Sequence, residues 1–105
     1  MAILKRESDK VLMVENRTYM WNGGFKFKMI VVDKENKMVT LERGGVGWAE
    51  IDPRTGTGTG MDWVKIVAEG QVDDGTIKRI RMIETSEEFD AVYSILYEQL
   101  KQRRK

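Results

Sequence analysis

The stretch Phe25-Lys26-Phe27-Lys28-Met29-Ile30-Val31-Val32 opens in strict apolar–polar alternation and closes as a continuous apolar run. Alternate side chains of a strand point to opposite faces of a sheet. This pattern therefore predicts a strand that is half exposed at one end and covered on both faces at the other. The segments on either side complete the reading. Upstream, Asn22-Gly23-Gly24 supplies residues that tolerate the positive φ angles of a tight hairpin turn, and 18–21 (Thr-Tyr-Met-Trp) is rich in β-formers. Downstream, Asp33-Lys34-Glu35-Asn36 turns the chain into a return strand over 37–43, ended by Gly44-Gly45.

Working outward, 11–14 reads as a short apolar strand, and 46–51 as a weaker one stopped by Asp52-Pro53. The run Arg54-Thr55-Gly56-Thr57-Gly58-Thr59-Gly60 has no apolar anchor and predicts a flexible Gly/Thr loop at 52–61. A further strand is read over 62–69. The turn Val72-Asp73-Asp74-Gly75 would lead from it into a partner strand over 76–83.

The helix signal is of a different kind. Thr85 as N-cap with Glu88 three residues on forms a capping box, and Phe89, Val92, Tyr93, Leu96 and Leu100 fall on one arc at 100° per residue. Ala91 and Ile95 lie nearly opposite that stripe. The expected fold is α+β: about seven short antiparallel strands in a strongly bent, meander-like sheet, with one C-terminal amphipathic helix packed on it. With 105 residues the chain is the size of a single domain.

Composition excludes whole classes of chemistry. There is no cysteine, so no disulfide framework, no thiolate nucleophile and no zinc site of the common cysteine-containing kind. Histidine is absent too, which removes the usual neutral-pH general base and the commonest metal ligand. The acidic neighbours Asp73-Asp74 and Glu87-Glu88 sit where a turn and a helix start want them. The Gly/Thr run lacks the Lys-Ser/Thr ending of a phosphate-binding loop, and it offers Arg54 and Gly56 where a calcium loop needs oxygen ligands. The expectation is a protein that is not an enzyme and carries no metal or cofactor.

The longest apolar run, Met29 to Val32, is far too short to cross a bilayer, and the N-terminus has no signal-peptide stretch, so a cytoplasmic address with no membrane partner is expected. Eighteen basic against seventeen acidic residues leave a net charge of +1, so binding to a polyanion would need a local patch.

Rings and cations together suggest such a patch. By strand parity Trp63 shares a face with Lys65 if Val64, Ile66 and Ala68 face the core; Lys26 and Lys28 oppose Phe25 and Phe27; Arg79 and Arg81 share a face; Tyr19 and Trp21 share another; and Trp48 and Arg54 flank the Gly/Thr loop. Flat rings beside Lys and Arg suit single-stranded nucleic acid, because bases stack on the rings while cations neutralise phosphates. The expected ligand is therefore single-stranded DNA or RNA, held by Tyr19, Trp21, Lys26, Lys28, Trp48, Arg54, Trp63, Lys65, Arg79 and Arg81. The sheet's far side, away from the helix, is the expected place for it, with a homodimer possible through the helix.

The order of strands over 25–83 followed by a helix from Ser86 resembles positive-cofactor-like and PUR-type single-stranded nucleic-acid-binding proteins, which implies a curved sheet that carries the ligand. Seven strands capped by a C-terminal helix also resemble a pleckstrin-homology-like domain. That second resemblance implies a protein-interaction module working through a sheet edge or the helix face around Ile95.

Overall fold

The computed structural model describes residues 2–19, 24–46, 48–51, 58–60 and 63–103. Five strands form one open antiparallel sheet: β1 (Ala2–Glu7), β2 (Val11–Tyr19), β3 (Phe25–Asp33), β4 (Met38–Val46) and β7 (Trp63–Gln71), adjacent in that order. Two short strands, β5 (Trp48–Ile51) and β6 (Gly58–Gly60), pair, among the described residues, with each other alone and form an excursion between β4 and β7. Two helices follow, α1 (Asp74–Arg81) and α2 (Ser86–Arg103). The class is α+β, as expected, but one sheet of seven strands becomes a sheet of five plus a separate hairpin.

Hairpins join β2 to β3 and β3 to β4; Asn22 and Gly23 of the first connection lie outside the described residues. Tyr19 pairs with Phe25 across the β2–β3 connection. At the β3–β4 turn the Asp33 carboxylate accepts the backbone N–H groups of Glu35 (3.1 Å) and Asn36 (3.2 Å), and Lys37 takes a positive φ of 53°. The glycines did not end β4. Gly44 and Gly45 continue the ladder, opposite Phe27 and Lys26 on one side and Val64 and Trp63 on the other.

The largest correction is over 76–83, where α1 replaces the expected strand. Asp73 is an N-cap, not a turn residue: its Oδ1 accepts Thr76 N–H at 2.8 Å and the Thr76 hydroxyl at 2.7 Å. Ile77, Ile80 and Ile83, spaced by three, are all buried, which a helical turn and its exit accomplish and an alternating strand could not. The third hairpin is thereby lost, and β7 pairs with β4. Within the expected flexible loop, Gly58–Gly60 is strand β6; residues 52–57 and 61 lie outside the described residues.

The capping box at α2 forms. Thr85 Oγ1 accepts Glu88 N–H at 3.1 Å and lies 3.0 Å from the Glu88 carboxylate, to which it donates. Phe89, Tyr93, Leu96 and Leu100 are buried and Val92 partly so, while Ala91 and Ile95 are exposed, as the periodicity predicts. Both helices lie on one face of the sheet, over Leu12, Val14, Ile30, Val32, Val39, Leu41 and Ala68. Helix α2 crosses the sheet obliquely. Near its start the Ser86 hydroxyl donates to Asn16 on β2 at 3.5 Å, and near its end Leu100 lies against Gly70 on β7. A β-carbon at Gly70 would come within 2.7 Å of Leu100 Cδ2, so the absent side chain is what lets the helix settle there.

Helix α1 is tied to β1 by charge. Arg81 donates to both oxygens of Glu7 from Nε (3.0 Å) and Nη2 (3.0 Å), and Lys34 Nζ reaches Glu7 at 2.8 Å. The hydrogen bonds from Arg81 and then Lys34 hold the Glu7 carboxyl down at about 2.

A cationic groove beside helix α2

The antiparallel register aligns side chains in rows that cross the sheet on its helix-bearing face. One row, Val14–Ile30–Leu41–Ala68, is wholly buried under the helices. The next, two residues along each of β2, β3 and β4, is Asn16–Lys28–Arg43–Lys65. Three cations thus stand side by side on three neighbouring strands, within roughly 10 Å at the usual strand spacing. A fourth, Lys26, follows on β3 in the adjacent row, opposite Thr18 and Gly45.

Lys65 joins the row because of a bulge. Leu41 pairs with Ala68 but Glu42 pairs with Ile66, so β7 carries one extra residue at Val67. The parity of β7 changes there. Lys65 consequently shares a face with buried Ala68, whereas Val64 and Ile66 turn to the other face and are 62% and 51% exposed. The expected grouping of Val64 and Ile66 with Ala68 is overturned for this reason.

The row lies just beyond the edge of α2, in a groove made of two adjoining depressions of about 470 and 560 Å³. The first is lined by Asn16, Thr18, Lys26, Lys28, Arg43 and Asp90, the second by Lys28, Arg43, Lys65, Tyr93, Tyr97 and Glu98, among others. Lys28 and Arg43 belong to both. Among the described residues none of the four cations forms an ion pair; the ion pairs present are Arg17–Glu15, Lys34–Glu7, Lys37–Asp74 and Arg81–Glu7. Lys28 Nζ instead lies 5.4 Å from the Tyr93 ring centroid, and Lys101 Nζ 5.5 Å from that of Tyr97. The Tyr93 hydroxyl donates to the Glu42 carbonyl at 3.3 Å, and burial pushes its phenol above the ordinary value against the downward pull of Arg43.

The sequence-predicted residues are distributed unevenly. Lys26, Lys28 and Lys65 come together, on the helix-bearing face and not on the far one. Tyr19 is on the opposite face, 58% exposed, its ring 5.9 Å from that of Phe25, over which Arg17 lies at 4.4 Å. Tyr19 is thus separated by the sheet from Lys26, Lys28 and Lys65. Arg79 and Arg81 are on α1, where residues two apart do not share a face, and Arg81 is engaged with Glu7. Trp63 begins β7 opposite Gly45, at the groove end of the sheet, and Trp48 begins β5; the side chains of both, and Trp21 and Arg54 entirely, lie outside the described residues. Arg43 was missed because it was read as the end of a strand. Tyr97 was missed because it stands just off the buried stripe.

Among the described residues no three Asp or Glu side chains converge into a metal-holding group, and no helix is long and apolar enough to cross a membrane. No family model matches the chain, and no curated protein or solved structure shows detectable similarity to it.

Proposed function

We propose that the protein is a non-enzymatic single-stranded nucleic-acid binder whose groove holds the phosphate backbone on Lys26, Lys28, Arg43 and Lys65. The observation that carries this reading is the row itself. Like charges directly opposite one another destabilise a sheet, and no ion pair to described residues offsets them here. An arrangement with a folding cost and no return in packing is accounted for by a ligand of opposite charge. A flexible single strand fits a short row at the foot of a helix, and Tyr97 offers a half-exposed ring beside it. The ends of β2, β3, β4 and β7 nearest the groove are Tyr19, Phe25, Val46 and Trp63.

The test is titration of a labelled oligonucleotide at low salt, following anisotropy and Trp fluorescence. Binding should weaken with salt with a log–log slope of at most about −3 for four phosphate contacts, and Arg43→Ala should reduce that slope by about 0.7. Absence of salt-sensitive binding overturns the proposal.

A second reading, a protein-interaction module, is favoured by the opposite face, where Tyr19, Val64 and Ile66 are exposed beside partly buried Phe25 and Met29. Its signature would be loss of a protein complex on Ile66→Lys with oligonucleotide binding intact.

A further inference from the structure

The two sides of the groove differ in chemistry. Its floor, on the sheet, carries Lys26, Lys28, Arg43 and Lys65 and no carboxylate among the residues that line it. Its wall is a second stripe on α2: Asp90, Ser94, Tyr97 and Glu98, spaced i, i+4, i+7 and i+8, fall on one side of the helix, and all four line the depressions described above. Asp90 and Glu98 are exposed and, among the described residues, form no ion pair with the cations they face.

Resting on the preceding reading, we infer that this wall is the base-reading side of the groove and that the preferred ligand is a single strand with amino-bearing bases in preference to thymine or uracil. A phosphate backbone is drawn to the floor and repelled by carboxylates, so a strand lying along α2 turns its phosphates toward the sheet and its bases toward the helix. A carboxylate is an acceptor only. It matches the exocyclic amine of cytosine, whereas thymine and uracil present a single N–H between two carbonyl oxygens that a carboxylate repels. Tyr97 is the partly exposed ring on this wall and can stack against a base, whereas Tyr93 is buried.

The experiment compares dC and dT decamers with the wild-type chain and with Asp90→Ala, Glu98→Ala and the double variant, at one low salt concentration and neutral pH. Both residues are exposed on a helix and alanine is the best helix former, so folding is preserved and far-UV circular dichroism verifies it. The wild type should prefer dC about fivefold or more, the worth of roughly one net hydrogen bond, and the double variant should bring the two within twofold of each other. A gain in affinity by the same factor for both decamers would overturn the inference, because it would show the acids to be a plain electrostatic wall. So would a wild type that binds both equally. If neither decamer binds at this salt concentration, the nucleic-acid reading itself fails, a result distinguishable from loss of preference alone.

Discussion

Val14–Ile30–Leu41–Ala68 and Asn16–Lys28–Arg43–Lys65 are neighbouring rows on one face of one sheet, yet the first is sealed and the second is charged. Backbone geometry is the same in both. What separates them is the shadow of α2, whose oblique path covers one row and only borders the other. Burial by the helices demands apolar side chains in the first row; nothing in the fold demands three cations in the second. The opposite rim of the sheet sharpens the contrast. There Glu7 is also charged, but it is satisfied by Arg81 and Lys34. Charge at that end fastens the fold, and charge at the groove end is left for something else.

Breaking the sealed row should have the largest effect. Ile30→Ala removes a fully buried side chain and should cost about 2–5 kcal/mol by urea denaturation, whereas Lys28→Ala one row away should change stability by less than about 1 kcal/mol. Asp73→Ala removes the N-cap of α1, part of the cover over the sealed row, and should cost about 1 kcal/mol. Arg43→Leu should leave the fold unharmed or more stable by about 0.2–1 kcal/mol, through relief of cross-strand repulsion, while oligonucleotide affinity falls. A loss of stability in that variant would mean that the charged row is structural.

The Glu7 rim is tested by acid. Its carboxyl is held at about 2 in the folded chain against an ordinary 4.5. The stabilisation is therefore fully present above the unfolded value and is lost as pH falls through the folded one. Wild type should lose stability progressively as pH falls from about 4.5 toward 2, and Glu7→Gln should show a shallower decline over that window, measured by thermal melts at stepped pH.

Much of the frame was legible because local chemistry and tertiary structure agreed. The alternation in Phe25-Lys26-Phe27-Lys28, the turn chemistry of Asp33 and the Thr85–Glu88 box each describe a few consecutive residues, and each acts locally as read. Helix α1 failed because Asp73-Asp74-Gly75 suits a turn as well as a helix start. The spacing of Ile77, Ile80 and Ile83 was the stronger signal. The groove was half legible. Lys26 and Lys28 share a face by parity, but that Arg43 and Lys65 stand beside them depends on the register between strands far apart in sequence, which no local pattern encodes. Which face carries the groove was not legible for a related reason: parity separates the two faces of a strand, but how far α2 covers one of them depends on where the helix lies.

The bulge at Val67 decides which side chains of β7 reach the groove. Residues 63–66 lie beyond it, so the face each one presents depends on whether Val67 is looped out or paired. Pairing Val67 with Glu42 would slide the rest of the strand by one position and exchange Lys65 for Ile66 in the groove without altering either. One unpaired residue therefore sets whether that end of the sheet offers the groove a charge or a hydrocarbon.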